Sequence, residues 1–265
     1  MDTQGRSVKD TAVSRRIAGP TGALVVDDGG SGAPVVFTHS LAGTAAHWSA
    51  QLEHLRTSRR AVAFDFRGHG GSESPRNREY TITALATDVG AVADALRLDR
   101  FALVGHSMGG GVALAYAGAH PERVERLLLL DPIGDGTQIA TEQIEPLLTQ
   151  LQSSAYQEVI EGYWDTISGP NVSVRERLMR DLRATQRESV VEGFTATTRF
   201  DPKPALAAYR GPALVVITPS NDFPFSIQRL KGGPPHRVVE GTGHWIQLDK
   251  PGEVNRILDK FLEEG

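Results

Sequence analysis

Along the chain, short apolar runs alternate with longer stretches of helical periodicity. Residues 23–27 (ALVVD), 34–38 (PVVFT) and 61–65 (AVAFD) read as strands, the first two divided by the turn sequence DDGGSG. In 80–96 the apolar positions Ile82, Leu85, Ala86, Val89, Val92, Ala93 and Leu96 are three or four apart, which predicts one face of a helix. Segment 101–105 (FALVG) then predicts a buried strand, 107–119 a helix and 126–131 (RLLLLD) a further buried strand. Strand patterning returns at 213–218 (ALVVIT) and 237–240 (RVVE), and a closing helix is predicted over 251–262, with Pro251 suited to its first turn.

The strands are continuously apolar and separated by helices, which predicts an α/β fold: a mostly parallel open sheet with helices on both faces. From 134 to about 200 strand-like runs vanish, and helical stretches rich in Gln, Glu, Arg and Thr take over. The expected organisation is a core made of 1–132 and 201–265, carrying a small helical lid inserted over 133–200. Within that insertion the charged run 175–187 reads as a solvated helix face.

Composition narrows the chemistry. A chain of 265 residues with 40% hydrophobic and 23% charged residues can bury a large core. Its formal charge of −4 gives no electrostatic reason to expect nucleic acid or an anionic membrane surface as partner. The absence of cysteine excludes disulfides, thiolate nucleophiles and Cys-ligated metals. The first twenty residues carry Arg6, Lys9, Arg15 and Arg16 but no apolar run of signal-peptide length, and no run elsewhere reaches the ~18 residues of a spanning helix. The expectation is a soluble, cytoplasmic protein.

The strongest chemical signal is Gly105-His106-Ser107-Met108-Gly109, a G-x-S-x-G sequence between a buried strand and a helix. A serine on so sharp a turn crowds the backbone, so the residues two away on either side must lack a Cβ. The helix that follows aims its N-terminal N–H groups at developing negative charge, and Met108 would supply one oxyanion donor through its backbone. Such a serine needs a base. Of the histidines after Ser107, His120 ends a helix, His236 precedes a strand, and His244 lies in a glycine-flanked loop, so His244 is the candidate. A carboxylate must then orient the imidazole. Asp222, beyond the strand 213–218, is preferred; Asp131, at the end of LLLLD, is the alternative.

These residues, with His39-Ser-Leu-Ala-Gly43, Asp65-Phe-Arg-Gly-His-Gly70 and Gly243-His244-Trp245, resemble the α/β-hydrolase-fold enzymes, in particular the small lidded serine esterase and haloperoxidase-like branch. The matching stretches occur in that family's order and extend over most of the chain. The resemblance implies a triad of Ser107, Asp222 and His244, an oxyanion hole made by the backbone N–H groups of Leu41 and Met108, and structural roles for His39 and His69. Two departures stand out. The family usually has Gly where Ser40 stands, which would strain the loop if that position requires positive φ. Pro219 constrains the loop leading to Asp222, where a glycine is common.

The expected reaction is hydrolysis of a small carboxylic ester through an acyl-enzyme on Ser107, with no metal or organic cofactor required. Serine at the elbow argues against the relatives that use aspartate there, the haloalkane dehalogenases and epoxide hydrolases. Perhydrolysis and C–C bond hydrolysis use the same triad and stay open. So does a slow-turnover ligand sensor signalling through the lid, whose Tyr156, Tyr163, Trp164 and Phe194 either line a pocket or pack the lid together.

Overall fold

The computed structural model describes residues 13–263; Arg6 and Lys9, and the ends of the expected core segments, lie outside them. Eight strands form one sheet in the order β1-β2-β4-β3-β5-β6-β7-β8. They are β1 (Val13–Ala18), β2 (Ala23–Gly29), β3 (Pro34–Thr38), β4 (Arg60–Phe64), β5 (Phe101–His106), β6 (Val124–Leu130), β7 (Ala213–Ile217) and β8 (His236–Val238). The pairings β1–β2 and β2–β4 are antiparallel and all the others parallel.

Strand period sorts the apolar residues to two faces. On β3, Val36 faces one core while Val35 and Phe37 face the other; on β6, Leu127 and Leu129 oppose Leu128 and Leu130. Helices α1 (Ser49–Leu55), α2 (Ile82–Ala95) and α3 (Met108–Ala119) follow β3, β4 and β5. Leu52 and Leu55 of α1 join the Val35–Phe37 core, whereas α2 and α3 cover the opposite face through Leu85, Val89, Val112 and Tyr116.

Five α-helices lie between β6 and β7, the first four being α4 (Thr141–Gln152), α5 (Tyr156–Ile167), α6 (Val172–Ala184) and α7 (Arg187–Thr198). Tyr156, Ile160 and Trp164 of α5, and Val174, Leu178 and Leu182 of α6, recur every four residues and are buried, so each helix turns one stripe into the core shared with α2 and α3. The short α8 (Lys203–Ala208) leads into β7, and α9 (Ile246–Asp249) and α10 (Pro251–Glu263) close the chain. On α10, Val254, Ile257, Leu258 and Phe261 complete the Val35–Phe37 core.

Two features differ from the sequence pattern. Strand β1 (VSRRIA) is largely exposed and carries Arg15 and Arg16, so it shows no apolar signature; its arginines instead pair with Asp28 and Glu73, which suits an edge strand. The charged run on α6 is also more than a solvated face. Arg177 donates to the Ala46 carbonyl at 2.7 Å, and Asp181 lies 2.9 Å from Nε2 of the buried His47, which ties α6 to the segment after β3. Among the described residues no helix is long and apolar enough to cross a membrane.

The sheet order β4-β3-β5 reverses direction at β3, and in such sheets the crevice beyond the strands' carboxyl ends is where ligands bind. The loops after β3, β5, β6 and β8 carry residues 39–43, Ser107, Asp131 and His244 at that edge.

Candidate active site

Ser107 links β5 to α3 with φ 56° and ψ −120°, a strained conformation for a residue with a side chain. Its N–H donates to the Leu130 carbonyl at 3.0 Å, which pins the turn to β6. The two flanking glycines are required by contact. A Cβ on Gly105 would stand 2.4 Å from the Gly109 carbonyl oxygen, and one on Gly109 would stand 2.4 Å from the His39 carbonyl oxygen. Met108 is the first residue of α3, so its N–H has no acceptor within the helix ladder.

His244 sits six residues beyond β8. Gly241 has φ 66°, and a Cβ on Gly243 would lie 2.4 Å from the Ser168 carbonyl oxygen, so the loop runs against the end of α5 with backbone on backbone. That contact carries the bond from His244 N–H to the Ile167 carbonyl at 2.8 Å. From below, His106 Nε2 is 2.8 Å from the His244 carbonyl, and the two imidazole centroids are 4.7 Å apart. Burial holds His106 well below the ordinary histidine pKa, so it is a neutral Nε2–H donor.

The carboxylate facing His244 is Asp131. Its Oδ2 lies 2.6 Å from His244 Nδ1, and it is 1% exposed. The Thr218 N–H donates to its Oδ1 at 2.7 Å and the Thr218 hydroxyl lies 3.1 Å from both oxygens. Asp131 directly follows β6, and its own N–H is bonded to the Val216 carbonyl at 2.7 Å, so the sheet fixes it.

The expectation for Asp222 is corrected by this geometry. Asp222 is five residues beyond β7, after a 3₁₀ turn over Pro219–Asn221 that directs it outward. Its oxygens accept from Arg229 Nε at 2.7 Å and Nη2 at 2.5 Å, and that guanidinium holds its carboxyl below the usual carboxylate range. The β7 loop does serve the site, but through Thr218, which sequence reasoning passed over and which no local pattern marks.

Ser40 is not among the residues with positive φ; the left-handed position in this loop is Ala42, at φ 54°. The anticipated strain is therefore absent. Ser40 Oγ instead accepts from the indole N–H of Trp245 at 3.0 Å, joining the β3 loop to the residue after His244. His39 braces the same loop: Nδ1 bonds the Ser40 carbonyl at 2.7 Å while Nε2 accepts the Phe66 N–H at 3.0 Å. His69 is likewise internal, bonded to the Arg67 carbonyl and pushed by burial to about 4.

Ser107, His244, Leu41 and Met108 line one cavity of about 60 Å³, together with Ile133, Tyr163, Trp164 and Phe194. Beside a cavity of about 150 Å³, which takes benzene, this space is small. Among the described residues no group of three or more His, Asp or Glu side chains is placed to hold a metal ion.

A serine on a strained strand-to-helix turn, beside a histidine–aspartate pair at the carboxyl edge of a parallel sheet, defines the α/β-hydrolase class of fold. The profile of the Alpha/beta hydrolase family matches residues 35–257, and the chain belongs to that family. It is 28% identical over 245 residues to the dihydrolipoyllysine-residue acetyltransferase component of the acetoin cleaving system of Cupriavidus necator, covering 88% of this chain and 64% of the length of that protein. It is 27% identical over 290 residues to an sn-1-specific diacylglycerol lipase of Danio rerio, covering 94% of this chain and 85% of that one. Among solved structures it is similar to Est816, an N-acyl homoserine lactone degrading enzyme, with TM-score 0.82, 25% identity, and coverage of 93% of this chain and 100% of that one.

Proposed function

We propose that the protein hydrolyses carboxylic esters through an acyl-enzyme on Ser107. The observation that carries this reading is the 2.6 Å bond between His244 Nδ1 and the buried Asp131, on a histidine that shares a cavity with the Ser107 elbow. With Nδ1–H committed to Asp131, Nε2 is the nitrogen left to accept the serine proton.

In the first step Ser107 Oγ attacks the acyl carbon and its proton passes to His244 Nε2. The developing imidazolium is stabilised by Asp131, which Thr218 holds in place. The carbonyl oxygen, now negative, is met by the backbone N–H groups of Leu41 and Met108; losing one such donor typically costs ~10²–10³ in rate. His244 then protonates the leaving alcohol and the C–O bond breaks. Water, deprotonated by the same nitrogen, releases the acid and restores Ser107. Helices α4–α7 act as a lid over this site, and its small volume suits exclusion of bulk water. The names of two relatives, a diacylglycerol lipase and a lactone-degrading enzyme, agree with acyl–oxygen cleavage as the reaction class.

The test is a time course of p-nitrophenyl acetate hydrolysis beside Ser107→Ala. Sustained release that disappears in the variant is expected. A single stoichiometric burst would remove turnover from the account, and undiminished release by Ser107→Ala would remove the nucleophile.

A further inference from the structure

The cavity at Ser107 is small, about 60 Å³, and a second cavity of about 290 Å³ adjoins it. Ile133, Tyr163, Phe194 and Thr197 line both, so these four side chains are the partition between them. We propose that the second cavity receives the apolar arm of the substrate, an uncharged alkyl chain or aryl ring of about six carbons. This rests on the ester reading and adds to it the substrate class.

Three observations point to that occupant. The first is lining: beyond the partition the walls are Ile144 and Leu147 of α4 and Phe223 and Phe225 of the loop after β7. All four are only half-buried, so they keep accessible apolar surface inside a concavity, the usual character of a site for an apolar group.

The second is charge. The carboxylate of Asp135 also borders the cavity, but it is already satisfied. Its Oδ1 accepts from Thr137 N–H and hydroxyl at 3.1 and 2.5 Å, and its Oδ2 from Lys203 Nζ at 2.6 Å. The Thr197 and Thr198 hydroxyls are turned to carbonyls of their own helix. Nothing in these walls calls for a charged arm.

The third is size. An apolar cavity of about 150 Å³ takes benzene, and this one is roughly twice that. The partition is also suited to yield. Tyr163 is 40% exposed and meets Phe194 edge-on, with ring centroids 5.5 Å apart, so rotation of its side chain connects the two spaces.

The experiment uses two ester series: p-nitrophenyl acylates, which lengthen the acyl side, and n-alkyl acetates, which lengthen the alcohol side. In one of them kcat/KM is expected to rise about fourfold per methylene, from the two-carbon arm (the acetate or ethyl ester) to the six-carbon arm. Ile144→Trp fills the cavity and is expected to abolish that rise while leaving the two-carbon ester within about twofold of wild type. Leu147→Phe is the milder second variant. A flat response in both series, or, within the series that rises, an equal loss for short and long esters, would overturn the proposal.

A binding measurement separates it from the ester reading. Hexyl acetate is titrated calorimetrically into Ser107→Ala with and without Ile144→Trp. Binding lost only with the tryptophan supports the cavity even if no ester is turned over by wild type. Absence of binding to Ser107→Ala overturns it even if short esters are hydrolysed.

Discussion

Asp131 and His244 share a 2.6 Å hydrogen bond across the carboxyl edge of the sheet, whereas Asp222 is held on the surface by Arg229. The two carboxylates therefore separate cleanly by substitution. Asp131→Asn is expected to lower kcat for p-nitrophenyl acetate by ~10³–10⁴-fold, because the amide no longer selects the Nδ1–H tautomer. Asp222→Asn is expected to stay within about twofold of wild type, the usual range for a surface ion pair. The reverse outcome would return the acid role to the β7 loop.

Ser40 and Trp245 form the other tie between loops. Ser40→Ala leaves a buried indole N–H without its acceptor, at an expected cost of about 1–3 kcal/mol measured by urea unfolding. An unchanged midpoint would mean that the indole has found another acceptor and that the bond does not hold the β3 loop to His244.

Glycines at two positions should respond in opposite directions. A Cβ at Gly109 meets the His39 and Thr38 carbonyl oxygens at 2.4 and 2.6 Å, so Gly109→Ala is expected to destabilise by ~2–4 kcal/mol. Gly162, inside α5, has nothing within 4 Å of such a Cβ. There Gly162→Ala is expected to stabilise by ~0.5–1 kcal/mol through helix propensity and a less flexible unfolded chain. Chemical denaturation of both variants checks the pair.

Stability should also depend on pH through the buried histidines. Burial lowers the pKa of His39, His47, His69 and His106 in the folded protein, His69 to about 4. As pH falls below the unfolded value of 6.5, the unfolded chain takes up protons that the folded chain refuses. Stability is therefore full above pH 6.5 and is lost as pH falls towards the folded values, by up to ~1.4 kcal/mol per pH unit for each histidine. The carboxyls of Asp65 and Asp88, raised by burial, act with the opposite sign: as pH falls through their raised values the folded chain takes up protons first, and that gain is complete below the ordinary carboxylate range. Urea unfolding at pH 7 and pH 5.5 should show a lower midpoint at the acidic value; equal midpoints would contradict neutral burial.

What was legible in the sequence follows from how local each signal is. The strands carrying PVVFT, AVAFD, FALVG and ALVVIT are buried on both faces, so their apolar runs announce them, and the elbow at Ser107 is fixed by glycines only two residues away. Strand β1 was invisible because its stability comes from backbone pairing with β2 and from ion pairs, with little apolar burial. The choice between Asp131 and Asp222 could not be made locally, since both follow apolar strands. It depends on which carboxylate Thr218 holds and on where Arg229 stands, and both are contacts across the fold. The apolar cavity was equally hidden, because Ile144, Tyr163, Phe194 and Phe225 meet from four separate segments.

The nucleophile is the centre of the account, and covalent trapping tests it most directly. The protein is incubated with paraoxon, digested, and its peptides are weighed. The expected result is one diethylphosphoryl group per chain, carried on Ser107, with loss of ester hydrolysis in proportion to labelling. Labelling of another residue, or full hydrolysis by protein already labelled on Ser107, would contradict it.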